Sequence, residues 1–330
     1  MERNPSEQQR NMLKREWELG VLEETISIVK TILRPVVKHR RLLERAKYAG
    51  TPILPPQGGN DLLARLVHQP AAIGKLGAVE LGAVRPYMSG ADLRGHVESW
   101  GRTATRKLYR NAGVYPPEAA IISGFCKVYT GALTSVDVLA VYFSLGENAA
   151  RRQFAPKAVL TEPTGLEPYY HERPWSQHLA GKRVLVVSPF AETIQAQYQR
   201  RQRVWPAKLD VLPDFELLTL RSPLSAFLIV PEYPDWFAAL DAMREEMAAV
   251  RFDVALVGAG AWSLPLVAHA KLLGACAIHL GGATQVLFGV KGGRWDKHPR
   301  ISAFYNEAWT RPSPSETPHG VKKIEGCCYW

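Results

Sequence analysis

Glu80 lies in the run Ile73-Gly-Lys-Leu-Gly-Ala-Val-Glu-Leu81, where an apolar stretch meets a glycine turn and then a helix-like segment. A carboxylate just past a strand can take a proton from an attacking hydroxyl, bind sugar hydroxyls or hold a metal. The same carboxylate at a helix start also complements the helix dipole with no ligand at all. Lys75 precedes the turn and Gly77 makes it, so a cation and an open stretch of backbone stand beside that acid.

Three later runs have the same strand-end character. In Gly258-Ala-Gly-Ala-Trp-Ser263 the glycines Gly258 and Gly260 let backbone approach a ligand. A helix capped by Ser263 would offer its first N–H groups to a phosphate; the alternative is a tight structural turn. His279-Leu-Gly-Gly-Ala-Thr-Gln285 brings Gly281, a hydroxyl and an amide to the next strand end. His279 there bonds either a diphosphate or a hydroxyl, or is a satisfied core histidine. Ser188-Pro-Phe-Ala-Glu192 lacks the frame and the partners of a nucleophilic serine. Its Phe190 either stacks on a base or staples the following helix. Arg294, after Gly292-Gly293, is placed to neutralise a leaving diphosphate or is a surface cation. A dinucleotide site needs an acid near the end of the strand after its glycine turn, and no Asp or Glu occurs between Val254 and Trp295, which argues against NAD.

These runs need a scaffold that brings strand ends together. Residues 183–187, 215–220, 253–258 and 276–281 read as strands, and 191–205, 235–250 and 263–274 as helices between them. That alternation means βαβ units and a parallel sheet, and runs such as VLVV and VALV suit strands covered on both faces. Upstream, 71–76, 137–143 and 157–161 read as strands and 91–112, 117–132 and 146–154 as helices. Ligands of open parallel sheets bind beyond the carboxyl ends of the strands, where all four runs fall.

Residues 12–46 carry apolar positions at helical spacing and Pro35, which kinks or splits the helix. Seven basic residues and one acid lie in 30–47, a face suited to anionic lipid, to the body of the protein or to a second copy in a homodimer. Proline and glycine make 49–60 a linker, and the three prolines of 162–182 mark a boundary between lobes. The expected division is a basic helical segment and linker at 1–60, a main domain at 61–295 and an ordered, aromatic-rich tail at 296–330.

The chain has 330 residues, 46% hydrophobic and 22% charged, a globular composition. No apolar run reaches the ~18 residues of a membrane span, and the polar first residues show no secretory signal. Four cysteines, none in a CxxC pair, fit a reducing cytoplasm. The net charge of +10 comes without aromatic stacking platforms or a nucleic-acid motif, so nucleic acid is not the expected partner.

Two blocks carry a family resemblance. Residues 73–81 resemble the arginine–aromatic–Gly-Asp-Gly-Glu turn of the GT-D-type glycosyltransferases and their uncharacterised bacterial relatives. Residues 252–282 resemble that family's late strand, glycine-rich turn, helix and strand, and 182–198 fits between them. The resemblance implies an α/β fold, a Rossmann-like, mostly parallel sheet with helices on both faces, to which the long N-terminal helical segment is added. It also implies transfer of a sugar from a UDP- or GDP-linked donor. The acceptor class expected is a glycan or lipid-linked glycan of bacterial surface polysaccharide synthesis, at the cytoplasmic side of the inner membrane. The family's Glu falls on Glu80, its Asp on Ala78 and its arginine on Lys75, which puts a divalent metal (Mg or Mn) in question. The alternative is a non-catalytic, nucleotide-binding protein on the same fold.

Overall fold

The computed structural model describes residues 39–90, 104–324 and 326–330. The chain divides into two units, Met1–Gly50 and Thr51–Trp330. In the first, residues 39–46 are helical and Lys47 pairs with Glu44 at 2.7 Å. Most of the helix expected over 12–46, with its basic face at 30–47, lies outside the described residues, as does the first half of 91–112.

The second unit is built on eight strands: β1 (Ile53–Leu54), β2 (Ala71–Lys75), β3 (Val138–Ala140), β4 (Val159–Thr161), β5 (Arg183–Ser188), β6 (Glu216–Arg221), β7 (Val254–Val257) and β8 (Cys276–His279). They form one sheet in the order β1-β4-β3-β2-β8-β7-β5-β6, and every pairing is parallel. The fold is α/β. The runs AAI, VLVV, VALV and CAIH are buried along their whole length, as strands covered on both faces must be.

The helices that serve the sheet are α1 (Pro56–Leu66), α2 (Ala78–Met88), α3 (Ala119–Leu133), α4 (Glu147–Phe154), α5 (Ala191–Tyr198), α6 (Trp236–Ala248), α7 (Ser263–Leu272) and α8 (Ala283–Leu287). Crossovers from β2 to β3 and from β7 to β8 run toward the β1 edge, and that from β5 to β6 runs toward the β6 edge. Right-handed crossovers in opposite directions place their helices on opposite faces. Accordingly α7 packs with α3 and α6, while α5 packs on β5 and β6. Asp235 starts α6 by accepting from the N–H groups of Phe237 and Ala238, both at 2.8 Å.

Three expectations change. The stretch 49–60 is not all linker: Ile53–Leu54 pairs with β4, and Pro56, well suited to a first helical position, opens α1. The connection 162–182 does not divide the sheet into lobes, because β2 and β8 hydrogen-bond across its middle. Its Tyr169, Trp175 and Leu179 are fully buried in the core with β2, β5 and β7. Each large apolar side chain so buried contributes about 1.5–3 kcal/mol. The helix expected over 191–205 breaks after Tyr198 and resumes as the single turn Arg201–Val204. The tail packs on the same body: Ile301, Trp309, Ile324 and Cys328 are buried, and Val290 bridges to Thr310.

Candidate functional site

The carboxyl ends of β2, β3, β5, β6, β7 and β8 open into one cleft of about 450 Å³, a size in the range of small-molecule sites. Lys75, Gly77, Glu80, Phe190, Gly258, Gly260, His279, Gly281 and Arg294, all singled out in the sequence, line it; Ser263 does not.

Glu80 is in the first turn of α2, whose N-cap is Gly77. Its carboxylate folds back so far that a Cβ on Gly77 would stand 1.8 Å from Oε2. A side chain at position 77 would therefore displace the carboxylate from this place. An acid at this helix position is also the partner of a capping box, so the carboxylate complements the helix start while bordering the cleft. Burial, then the charge of Glu80, holds the Tyr129 hydroxyl well above its usual range.

Lys75 ends β2. Its ammonium donates to the carbonyl of Leu280 at 2.6 Å and lies 5.9 Å from the centre of the Tyr142 ring. Burial, then the ammonium of Lys75, holds His279 well below its usual pKa, so its imidazole is neutral at pH 7. Glu167 is affected the other way: burial raises its pKa, against the pull of Lys75 and the hydrogen bond from the Tyr169 hydroxyl at 2.9 Å.

The glycines of the β7 turn answer to protein neighbours. A Cβ on Gly258 would lie 2.7 Å from both the Gly281 carbonyl and Thr284 Oγ1, and one on Gly260 would lie 2.9 Å from the Ala112 carbonyl. Gly260 also has φ +54°. Ser263 is fully buried and is the first residue of α7; Trp262 is the N-cap. The Ser263 hydroxyl accepts from the N–H of Ala259 at 2.9 Å. The Gly258–Ser263 turn is thus close-packed on its Cβ side and its serine holds its own loop, while Gly258 and Gly260 border the cleft. Phe190, 3% exposed, meets Trp330 edge-on at 5.8 Å and forms wall rather than an open stacking face.

The β8 turn is different. Thr284 Oγ1, Gln285 Oε1 and His279 Nδ1 are buried and have no hydrogen-bond partner among the described residues. Asn111 Oδ1 and Ser222 Oγ, also on the cleft, share that condition. Buried polar atoms are seldom left unpaired, so their convergence on one cleft marks a place for a polar ligand or ordered water. Gln285 is oriented by its other amide atom, which donates to the Tyr329 carbonyl at 2.8 Å. Arg294 stacks on Tyr329 at 4.9 Å and so stands at the tail side of the opening.

Asn111, Tyr142, Ser144, Ser222 and the tail residues Tyr329 and Trp330 were not picked out from the sequence. The β3 loop that carries Tyr142 and Ser144 is marked by its backbone rather than by its residue types. Phe143 has φ +56°, a conformation that costs about 1–3 kcal/mol outside glycine. The acid that holds this loop, Glu147, is fully buried and accepts from the N–H groups of Tyr142 at 3.0 Å and Ser144 at 3.2 Å.

A divalent metal does not fit this donor set. Glu80 is the one carboxylate among the described lining residues, Ala78 stands where a second would be, and His279 is buried beside an ammonium. Among the described residues no group of three His, Cys, Asp or Glu side chains is placed to hold an ion. No helix among them is long and apolar enough to cross a membrane.

Neither a family model nor a curated protein matches the chain. Among solved structures it is similar to one described as "The highly conserved domain of unknown function 1792 has a distinct glycosyltransferase fold". The identity is 14%, the alignment covers 73% of this chain and 82% of that one, and the TM-score is 0.42. It is also similar to a selenomethionine-substituted structure of the same domain of unknown function, at 17% identity, 73% and 81% coverage and TM-score 0.40.

Proposed function

We propose that this protein transfers a sugar from a nucleoside-diphosphate sugar to an acceptor hydroxyl. The observation that carries the reading is the convergence of Glu80, two cations and unpartnered buried polar atoms on one cleft at the carboxyl rim of a parallel sheet. The donor's sugar faces Glu80 and its diphosphate faces Lys75 and Arg294. As the acceptor oxygen bonds to the anomeric carbon, the carbon–oxygen bond to the diphosphate breaks. The acceptor's proton passes to the Glu80 carboxylate, and the leaving charge is taken up by the cations. A glycan or lipid-linked glycan is the acceptor class this reading favours.

A second reading, a nucleotide-binding protein without catalysis, is favoured by one observation: the Glu80 carboxylate lies over Gly77 in a capping position. The two are separated by titrating UDP, GDP, NAD and S-adenosylmethionine calorimetrically into the native protein and Glu80→Gln, then following sugar release or transfer. The transferase reading expects UDP or GDP to bind both proteins alike, with turnover in the variant reduced about 100-fold or more. Binding of NAD alone overturns it. Nucleotide binding with no turnover in the native protein, across a panel of sugar donors, leaves the second reading standing.

A further inference from the structure

Two cations stand beside one diglycine turn. After β8 the chain runs through Leu280 into Gly281, at φ +57°, and Gly282. The Lys75 ammonium is 3.1 Å from the point a Gly281 Cβ would occupy; the corresponding point at Gly282 is 3.2 Å from the Trp295 ring, 3.5 Å from the Tyr329 ring and 3.6 Å from Arg294 Nη1. Any side chain at either position would enter the space beside these charges. Both cations are held from outside the turn. Lys75 is tied by its hydrogen bond to the Leu280 carbonyl, and Arg294 by the Tyr329 ring and by its backbone N–H, which donates to the Cys328 carbonyl at 3.0 Å. The unpartnered Thr284 Oγ1, Gln285 Oε1 and His279 Nδ1 belong to the same strand end. Of these, Thr284 and Gln285 are 1% and 2% exposed, so bulk water does not satisfy them.

We propose that the diphosphate is seated on the Gly281–Gly282 turn between Lys75 and Arg294, and that these two side chains do the charge neutralisation a divalent metal would otherwise do. The seat is thus placed on β8, where side-chain cations face the glycines, rather than on the glycine turn of β7, where backbone carbonyls do. The proposal rests on the transferase reading for its ligand, a nucleoside diphosphate. It is independent of that reading in its chemistry, which is metal-free recognition of two linked phosphates. An ammonium and a guanidinium supply charge-assisted hydrogen bonds, and the bare backbone lets both oxygen sets come close.

The test is calorimetric titration of the full chain with UDP, GDP, uridine, guanosine and inorganic pyrophosphate, each in EDTA and in excess magnesium or manganese. Native protein is expected to bind a nucleoside diphosphate and pyrophosphate with affinities within about 2-fold in EDTA and in metal. Arg294→Ala removes an exposed side chain, and unchanged thermal unfolding confirms that it folds. It is expected to weaken both phosphate ligands about 10-fold or more, the scale of one charge-assisted hydrogen bond, and to leave the nucleosides unchanged. Arg294→Lys recovers some of the loss.

Binding that vanishes in EDTA overturns the metal-free seat while sparing the transferase reading. An Arg294→Ala variant that binds UDP and pyrophosphate as tightly as native does the same. Pyrophosphate bound in EDTA and lost in the variant, with no nucleoside diphosphate bound, keeps the seat and overturns the transferase reading. No binding of any phosphate ligand overturns both.

Discussion

At the scale of single residues, the cleft holds glycines that face backbone and glycines that face a side-chain cation. Gly258 and Gly281 look alike in the sequence, each following an apolar strand. The difference lies in what is opposite: a carbonyl and a threonine for Gly258, the end of a lysine side chain for Gly281. A local run cannot disclose a neighbour from another strand, so the reading that put phosphate at Gly258–Ser263 had no means of seeing the Gly281 carbonyl. Gly258→Ala is therefore expected to destabilise the fold by about 1–3 kcal/mol, because backbone on two adjacent strand ends must move apart. Gly82→Ala is its control, since nothing lies within 4 Å of the added methyl. In the interior of α2 that change should stabilise by up to about 1 kcal/mol. Urea denaturation of the two variants measures both signs, and an equal effect at the two positions would show that the neighbouring backbone does not set the cost.

At the scale of elements, the C-terminal tail closes one side of the cleft and is fastened by an acid that the sequence did not distinguish. Glu316 is fully buried. Its carboxylate accepts from the N–H groups of Glu192 at 2.7 Å and Thr193 at 3.2 Å, and from the Thr193 hydroxyl. It thus occupies the start of α5, a position where a carboxylate complements the dipole and where this fold class also offers N–H groups to a ligand phosphate. The Glu316 carbonyl in turn accepts from the Trp330 indole at 2.9 Å, and Trp330 meets Phe190. Glu316→Gln keeps the shape but loses the charge and one acceptor oxygen. The expected cost is about 1–3 kcal/mol of stability, with earlier proteolytic release of the tail and weaker binding of any ligand that touches Tyr329 or Trp330. Limited proteolysis followed by mass spectrometry reads the release directly. Cleavage no faster than in the native protein would show that the tail is held by its aromatic anchors alone.

At the scale of the whole molecule, the parallel sheet was legible because its strands are short, continuous apolar runs at βαβ spacing. The edge strand β1 was not, because its two residues are embedded in proline and glycine that read as linker. Strand order, and with it the meeting of β2 and β8 that brings Lys75 to the Leu280 carbonyl, is a long-range fact with no local sign. The same burial that built the cleft floor sets the response to acid. Burial is the leading cause that lowers the pKa of His171, His269 and His279, in the last case helped by Lys75. Below the unfolded value of about 6.5, the unfolded chain then holds protons that the folded chain refuses, so stability rises with pH in that window. The contribution is fully present above pH 6.5 and is lost as pH falls through the lowered values. Glu167 acts in the opposite sense: its raised pKa means that the folded chain keeps its proton longer, so its contribution falls as pH rises above 4.5. With His68 also lowered, by burial and then by Lys182, four histidines against one carboxyl make the histidines dominant between about pH 6.5 and 5.5. The melting temperature should therefore decline across that interval on acidification, and His279→Gln, which cannot protonate, should flatten the decline. Scanning calorimetry of both proteins in matched buffers decides it; a native melting temperature that rises on acidification, or a variant that declines as steeply as the native protein, would mean that His279 is not the buried neutral base placed beside Lys75.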